Sequence, residues 1–326
     1  MKVLITGSSG HLGEALCVTF AERNIKYASV DINEGEYTTD IGSIADDSTV
    51  DKLMEGVDYV FHSATLHKPH VVSHSKQAFI DTNITGTLNL LNAAVREGVN
   101  GFIFSSTTST FGDALKPKIG EPAVWVTEQT PVIPKNIYGA TKTAAEDLCQ
   151  LFQRNHGLPV IILRTSRFFL EIDDNKLIRD DYKDLNIKAN EFTHRRVDIQ
   201  DVVDAHLLAM QKVEELKFQK YIISASSAFS TNHLDELNKN AENIVKQLYP
   251  HFHDIYQQKG WKMFPAIGRV YVNQKARREL GWSPSYDFAH VLNCISKGED
   301  FFSPLARKIG IKYYHKTTFR EGPYPV

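Results

Sequence analysis

A glycine-rich turn, Thr6-Gly7-Ser8-Ser9-Gly10-His11-Leu12-Gly13, lies between a short apolar run, Val3 to Thr6, and a helical pattern from Leu12 to Glu22. A turn of this kind between a strand and a helix is typical of sites that bind a pyrophosphate. Free N–H groups and the positive end of the helix dipole face such an anion. The stretch therefore predicts an α/β fold whose first strand and helix hold a phosphate group.

The three glycines of the turn meet three physical needs. Gly7 permits a tight turn, Gly10 lets the backbone approach the pyrophosphate, and Gly13 allows close contact between helix and strand. We therefore predict that the whole turn contacts a dinucleotide, through Gly7, Ser9, Gly10, His11, Leu12 and Gly13.

The same alternation of apolar run and helical pattern repeats through the first half of the chain. The predicted strands are Val3 to Thr6, Lys26 to Val30, Tyr59 to His62, Phe102 to Ser105 and Val160 to Leu163. The predicted helices are Leu12 to Glu22, Val50 to Met54, Gln77 to Glu97 and Tyr138 to Gln153, the last two ending at Gly98 and Gly157. This order predicts a doubly wound parallel Rossmann sheet with helices on both faces.

The second half of the chain shows this alternation of apolar runs and helical patterns only in part. Glu171 to Asn190 is rich in Asp, Lys and Asn, whereas Val197 to Lys212 and Lys220 to Ser224 predict one more helix and strand of the sheet. From about Phe229 the pattern is irregular and is broken by prolines. We therefore predict a dinucleotide-binding domain of residues 1–170, to which 195–225 return, and a smaller substrate lobe of 171–194 and 226–326.

The composition excludes several classes of function. Of the 326 residues, 42% are hydrophobic and 23% are charged, as is usual in a globular protein. The formal net charge of −2 leaves no excess of Lys and Arg to bind nucleic acid, so a small molecule is the expected partner. We see no membrane span and no signal peptide, which predicts a cytoplasmic location. Three scattered cysteines, Cys17, Cys149 and Cys294, are expected to be reduced core thiols.

Asp31 bears on the identity of the dinucleotide. It follows the second predicted strand, about 20 residues beyond the glycine turn, where an acidic side chain meets the ribose hydroxyls of adenosine. A carboxylate at this point would repel the 2′-phosphate of NADP, and no nearby arginine offsets the repulsion. The chain is therefore predicted to use NAD. The alternative is that Asp31 is only a turn residue.

The glycine spacing G-x-x-G-x-x-G resembles that of the extended short-chain dehydrogenase family, which contains the nucleotide-sugar epimerases and dehydratases. Similar motifs occur in order: Asp40-Ile41, His62-Ser63-Ala64, Asn83 to Thr87, Phe104 to Thr107, Tyr138-Gly139-Ala140-Thr141-Lys142 and Lys275 to Pro284. The resemblance covers residues 1–225 and the tail motif, and it is not specific for a substrate. It implies further NAD contacts at Asp40, Ile41, Ser63, Ala64, Thr65, Asn83, Ser105, Tyr138 and Lys142.

Tyr138 and Lys142 are the predicted catalytic pair. They are four residues apart near the start of a helix and so lie on one face, one turn from each other. A phenol with a pKa of about 10 is a poor base, but an ammonium and a positive nicotinamide ring both stabilise its phenolate. Tyr138 is therefore predicted to be the acid/base, with Lys142 lowering its pKa. The resemblance adds Thr107 as a hydrogen-bond partner of the reacting oxygen. The alternative is an ordinary surface pair on an amphipathic helix.

Two departures from the family concern the reaction and the substrate. Dehydratases of the family place an Asp-Glu pair after the active-site Thr, but here Thr108 and Ser109 come after Thr107, so dehydration is not expected. Arg167 stands where nucleotide-sugar enzymes carry Asn, and a guanidinium suits a carboxylate or phosphate. The interval from Phe169 to Arg195 is short, which predicts a reduced nucleotide pocket. The predicted substrate contacts are Thr107, Thr108, His67, Lys68, Arg167 and Arg196.

Several neighbouring residues keep a second interpretation. Arg195, Arg196 and Arg269 could hold a diphosphate or could simply lie at the surface. His67, His70 and His74 recur at short intervals, but Pro69 interrupts a continuous helix and no carboxylate or Cys completes a ligand set. No metal site is therefore predicted.

These features lead us to expect NAD-dependent oxidoreduction at a secondary alcohol of a sugar or sugar-derived substrate, by either an epimerase or a net dehydrogenase. A small acidic sugar and a UDP-sugar, the latter in 4-epimerisation, both remain open as substrates. A non-catalytic NAD-binding regulator is the alternative, although such proteins typically lose the Tyr or the Lys. Relatives commonly dimerise through the helices that match Gln77 to Glu97 and Tyr138 to Gln153, so a homodimer is expected.

Overall fold

The computed structural model describes residues 1–312 and Tyr314. Its strands are β1 Val3–Thr6, β2 Tyr27–Asp31, β3 Asp40–Ile41, β4 Tyr59–His62, β5 Gly101–Thr107, β6 Val124–Val126, β7 Val160–Thr165, β8 Phe218–Ile223 and β9 Arg269–Tyr271. Its helices are α1 His11–Glu22, α2 Asp47–Met54, α3 Lys76–Ile80, α4 Gly86–Glu97, α5 Ile137–His156, α6 Lys176–Asp181, α7 Asp184–Glu191, α8 Ile199–Leu216, α9 Leu234–Leu237, α10 Ala241–Leu248, α11 Phe252–Lys259, α12 Gln274–Leu280, α13 Phe288–Lys297 and α14 Pro304–Ile309.

Seven of these strands form one parallel sheet in the order β3-β2-β1-β4-β5-β7-β8. The predicted doubly wound sheet is confirmed. The strand order changes direction between β1 and β4, and a crevice opens at the carboxyl ends of the strands at such a point. The turn after β1 and the ends of β4 and β5 therefore meet at one edge, where ligands bind in folds of this kind.

Apolar side chains cover both faces of the sheet, because parallel strands are buried on both sides. On one face α1 and α8 contribute Leu16 and Val202 to a core that continues into the carboxyl-terminal helices. On the other face α2, α4 and α5 enclose a second core around Leu90 and Ala145. The predicted helix ends are confirmed, since Gly98 and Gly157 cap α4 and α5 with φ of 67° and 71°.

The single helix predicted from Gln77 to Glu97 is interrupted. A π-helical turn, Asp81–Thr85, separates α3 from α4. The turn contains Asn83, whose side-chain amide donates to the Leu66 carbonyl and to the Thr141 hydroxyl, both at 2.9 Å. The helix is therefore π-helical where the buried Asn83 amide bonds residues outside its own helix.

The carboxyl-terminal part, whose sequence pattern is irregular, is largely helical in the structure. Between residues 229 and 312 the chain forms α9 to α14, which are 4 to 10 residues long. Helices this short carry little periodicity, but their ends are well defined: Asn240, Asp287 and Ser303 cap α10, α13 and α14. The polar stretch that begins at Glu171 also forms helices, namely α6 and α7. A small parallel pair, β6 with β9, was also not predicted, because each strand has only three residues.

Candidate active site

Tyr138, the predicted acid/base, lies at the carboxyl edge of the sheet. Asn136 begins α5, since its side chain accepts a hydrogen bond of 3.1 Å from the Gly139 N–H, and this places Tyr138 in the first turn. The Tyr138 side chain is 8% exposed, and its phenol lies next to the side chain of Thr107, the last residue of β5. Burial raises the pKa of Tyr138 to about 12, although the adjacent Thr107 side chain lowers it.

Lys142 lies one turn further along α5, as its spacing indicates. Its Nζ donates to the Ser105 carbonyl at 2.8 Å and stands 3.9 Å from the centroid of the Phe104 ring. Burial lowers the pKa of Lys142 to about 7, while Cys149 and Glu146 act in the opposite direction. For Tyr138, burial outweighs the other influences, so the polypeptide alone keeps the phenol protonated at neutral pH. The sequence expectation, in which the lysine makes the phenol acidic, did not include this cost of burial.

A buried ion network lies behind the pair, and it was missed in the sequence. Glu146 accepts from the Ser106 hydroxyl at 2.6 Å and from Arg164 at 2.6 to 3.2 Å, with Lys220 Nζ at 3.2 Å. Burial alone would raise the pKa of Glu146, but Arg164 and Lys220 lower it. The network joins α5 to β5, β7 and β8. Its signal was available, because Glu146 comes one helical turn after Lys142.

The glycine turn forms a cradle that has no room for a side chain at Gly7 or at Gly13. Gly7 has a φ of 76°, and a Cβ built there would lie 2.7 Å from the Ala64 backbone. A Cβ on Gly13 would overlap the Gly7 carbonyl. Gly10 stands at the N-cap of α1, so the free N–H groups of the first turn, at His11, Leu12 and Gly13, come directly after it. The cradle fits a pyrophosphate group that contacts backbone N–H groups.

The acidic residue expected at the adenosine end lies beside this cradle. Asp31 ends β2, and its carboxylate accepts from the backbone N–H of Ser9 at 3.1 Å and of Asn33 at 2.9 Å. Next to it, Asp40 and Ile41 form β3. The Ile41 side chain is 61% exposed, so it presents an apolar surface to which an adenine ring can pack. These residues fit the adenosine half of NAD.

The segment after β4 lies across from the cradle. The Ser63 hydroxyl donates to the Thr6 carbonyl at 2.7 Å, and Ala64 is the residue that Gly7 approaches. The Asn83 side chain accepts from Leu66 N–H at 2.8 Å and from the Thr65 hydroxyl at 3.0 Å. Asn83 also donates to the Leu66 carbonyl and to the Thr141 hydroxyl, and so it holds this segment against α5. The Ser105 hydroxyl is within 2.8 Å of His206 Nε2, while its carbonyl anchors Lys142.

The predicted substrate residues are only partly brought together. The His67 ring lies beside Tyr138, with 6.4 Å between the ring centroids, and Thr108 is buried directly after Thr107. Lys68 pairs with Asp174, and Arg167 pairs with Asp173 at 2.7 Å. Arg196 is 1% exposed and is bound to Glu191 and the Phe169 carbonyl, so its guanidinium is enclosed within the protein.

The arginines near the crevice are thus matched by carboxylates. Glu191 lies 2.7 Å from both Arg195 and Arg196 and 3.6 Å from Arg167. Burial alone would raise the pKa of Glu191, but the three guanidinium groups hold it well below its usual range. Asp173, Asp174 and Glu191 were not identified from the sequence, where the segment read only as polar.

His11 has an environment that the sequence did not predict. Its Nε2 lies 2.8 Å from a Glu171 carboxylate oxygen, its Nδ1 is hydrogen-bonded to the Tyr314 hydroxyl, and its ring centroid is 4.9 Å from that of Phe169. These three residues cover the first residue of α1 at the edge of the cradle.

Metal sites and membrane-spanning helices are two further features that bear on the class of protein. Among residues 1–312 and Tyr314, no group of three or more His, Cys, Asp or Glu side chains is arranged to hold a metal ion. None of the helices that the structure describes is both long and apolar enough to cross a bilayer.

A dinucleotide cradle on a doubly wound sheet, with a Tyr and a Lys one turn apart at its carboxyl edge, defines the short-chain dehydrogenase class of NAD-dependent oxidoreductases. Comparison with known proteins gives the family within this class. The model described as "NAD dependent epimerase/dehydratase family" matches residues 3–224, and the chain belongs to this family. It is an enzyme family with NAD as the cofactor, as the sequence predicted.

Individual relatives agree with this assignment. The chain is 24% identical to a UDP-glucose 4-epimerase of Rhizobium meliloti over 89% of its own length and 94% of that protein. It is 31% identical to a dTDP-glucose 4,6-dehydratase of Streptomyces antibioticus over 51% of its length and 53% of that protein. A short-chain dehydrogenase/reductase superfamily protein from Agrobacterium tumefaciens, crystallised with bound NAD, has the same fold, with a TM-score of 0.66 and 19% identity over 94% of this chain and 97% of that one.

Proposed function

We propose that this chain catalyses NAD-dependent oxidoreduction at a secondary alcohol of a sugar or sugar-derived substrate. The observation that carries the proposal is the placement of Tyr138, in the first turn of α5, beside Thr107 at the carboxyl end of β5, with Lys142 one helical turn further on. When bound, NAD supplies the oxidant for the alcohol and a positive ring that favours the phenolate. A substrate hydroxyl that lies between Thr107 and the Tyr138 phenolate passes its proton to Tyr138 Oη as the carbonyl forms.

Lys142 and Thr107 assist this proton transfer from fixed positions. The Ser105 carbonyl and the Phe104 ring hold the Lys142 amino group one helical turn from the phenol, where its charge in the protonated form stabilises a phenolate. Thr107 orients the substrate oxygen. The cofactor contacts of the proposal are those of the glycine cradle, Asp31, Asp40, Ile41 and the Ser63 to Thr65 segment.

Epimerisation and net dehydrogenation use the same residues and differ in the step after oxidation. An epimerase returns the hydrogen to the other face of the carbonyl carbon, whereas a dehydrogenase releases the ketone. Dehydration needs a further acid and base, and Thr108 and Ser109 offer only neutral hydroxyls beside Thr107. We therefore retain epimerisation and dehydrogenation.

The balance of charge beside the crevice bears on the substrate. Lys68 and Arg167 already face Asp173 and Asp174, so a small acidic sugar gains little from them. A cavity of about 330 Å³ lies further along, and Tyr182, Arg195, Phe264 and Arg269 are among its lining residues. Arg195 is already paired with Glu191, but Arg269 and the two aromatic rings suit a nucleoside diphosphate. This cavity favours UDP-sugar 4-epimerisation as the specific candidate.

One assay separates these reactions. Purified protein with NAD is incubated with UDP-sugars, sugar acids and free sugars, and product formation is followed together with NADH absorbance. Product without net NADH supports an epimerase, and NADH that rises in step with product supports a dehydrogenase. Bound NAD with no turnover of any sugar contradicts the proposal and favours the non-catalytic regulator.

We further propose that the enzyme is a cytoplasmic homodimer that pairs through α4 and α5. On the outer side of α5 a groove is lined by apolar and charged residues, and Leu151 there is 38% exposed. Replacing Leu151 with Arg places a charge in the proposed interface and is expected to shift the mass measured by light scattering to that of a monomer. An exposed control, Leu177→Arg on α6, is expected to leave the mass unchanged. A wild-type monomer contradicts the dimer proposal.

A further inference from the structure

Helix α14 and Lys312, which follows it, lie against the first helix of the cofactor site. Lys308 Nζ is 3.1 Å from a Glu22 carboxylate oxygen, and Lys312 Nζ pairs with Glu14. The Lys312 N–H donates to Glu171 at 3.1 Å. These contacts hold the segment from α14 to Lys312 along α1 and bring Tyr314 to the glycine cradle.

Glu171 and Tyr314 meet on the imidazole of His11, the first residue of α1. His11 is 3% exposed, and its two ring nitrogens face the Glu171 carboxylate and the Tyr314 hydroxyl. The Tyr314 hydroxyl is hydrogen-bonded to Nδ1, and Nε2 lies at ion-pair distance from Glu171, so the two contacts act on opposite sides of one ring. A residue at the phosphate-binding turn is therefore tied to two distant parts of the chain.

Tyr314 also reaches towards the catalytic end of the crevice. Its ring centroid is 4.2 Å from that of His67, and the His67 ring is in turn 6.4 Å from the Tyr138 ring. The Tyr314 side chain thus spans the distance between the pyrophosphate cradle and the residues beside the catalytic tyrosine.

We propose that Glu171, His11 and Tyr314, here named the His11 clasp, close the pyrophosphate part of the crevice over bound NAD and slow its release. A dinucleotide held by the cradle cannot leave past His11 until the Tyr314 hydrogen bond breaks and the segment moves off α1. The proposal rests on the use of NAD by this chain and is independent of the substrate.

The test measures release of NAD from Tyr314→Phe, which removes one hydroxyl and keeps the ring. Protein is loaded with radiolabelled NAD, and loss of the label is followed after addition of excess unlabelled NAD. Because a hydrogen bond contributes about 1 kcal/mol, release is expected to be about fivefold faster. Glu171→Gln is expected to accelerate release in the same direction. The double variant should show less than the product of the two effects, because both act through His11.

Tyr59→Phe is the matched control. Its hydroxyl also bonds a carboxylate, Glu214 at 2.5 Å, but it lies at the start of β4, at the opposite edge of the sheet. Release from this variant is expected to match that from the wild type. Equal release rates in all variants would overturn the clasp and leave the proposed function standing. Tighter NAD binding by Tyr314→Phe would overturn it too, because Tyr314 would then obstruct the crevice. A wild-type protein that binds no NAD overturns both.

Discussion

Two groups of basic residues beside the crevice differ in whether carboxylates are paired with them. At the start of α5, Lys142 is buried, its hydrogen bond goes to a backbone carbonyl, and Glu146 acts on it through charge alone. Between β7 and α8, Arg167, Arg195 and Arg196 each lie within 4 Å of a carboxylate. We call the Lys142 site the uncompensated site, and burial there lowers the pKa of the lysine to about 7. We call the arginine cluster the compensated site, because each of its guanidinium groups is paired with a carboxylate. Under the proposed function, the first site transfers protons, and the second holds the wall of the crevice in place.

Removal of the phenol hydroxyl from the uncompensated site has the largest expected effect. Tyr138→Phe keeps the ring but cannot exchange a proton, so turnover is expected to fall by about 10² to 10⁴. NAD binding, measured by equilibrium dialysis, should be unchanged. Tyr256→Phe is the control, because it removes a buried hydroxyl that bonds Asn190 in the carboxyl-terminal part. Turnover of Tyr138→Phe close to that of wild type would refute the assignment of the acid/base.

Loss of the central carboxylate tests the compensated site. Glu191→Gln leaves guanidinium groups buried without their partner, and we expect the free energy of unfolding to fall by about 3 to 5 kcal/mol. Because its pKa is depressed, Glu191 stabilises the fold at neutral pH and loses this contribution as the pH falls below its ordinary value of about 4.5. Urea denaturation at pH 7 measures the change. The exposed pair Glu242 with Lys246 supplies the control variant Glu242→Gln, for which less than about 1 kcal/mol is expected.

The lowered pKa of Lys142 predicts a pH dependence of stability. Between about pH 7 and its ordinary value of 10.5, the unfolded chain binds a proton that the folded protein does not. Folding is therefore opposed at pH 7, and the wild type gains stability as the pH rises through this window. Lys142→Met lacks the gain, which is on the order of a few kcal/mol. Unfolding of both proteins from pH 7 to 10 measures the difference, and parallel curves would show that Lys142 is not held neutral.

A smaller effect is expected when one compensating charge is removed. In Asp174→Asn, Lys68 and Arg167 lose a carboxylate that faces both of them. The resulting positive charge should lower the KM of anionic sugars by about two- to fivefold, with little effect on neutral sugars. Asp180→Asn on the exposed face of α6 is the control. Equal changes for neutral and anionic sugars would show that charge balance does not set the preference.

The two halves of the chain were not equally predictable. The parallel sheet could be predicted because its strands are continuous apolar runs and the glycine turn has a fixed place between β1 and α1. β3, β6 and β9 have two or three residues each, too few for a periodic pattern. The helices after residue 229 depend on caps and on packing against the α1 and α8 face, which a one-dimensional pattern does not contain.

The candidate site shows the same limit. The position of Tyr138 one turn from Lys142 follows from helix geometry, but the burial that moves their pKa values in opposite directions is a tertiary property. Glu146 could have been identified from its spacing. The contact of His11 with Tyr314 joins residues 303 positions apart and has no local signal.

The central claim is that Tyr138 is a phenol which bound NAD⁺ converts into a base. It is tested most directly by ultraviolet titration of the wild type, from which the titration of Tyr138→Phe is subtracted. Without the dinucleotide, the difference should show a phenolate forming at about pH 12, as burial dictates. With NAD⁺ bound, the same transition should move to clearly lower pH. An identical transition in both states would contradict the account.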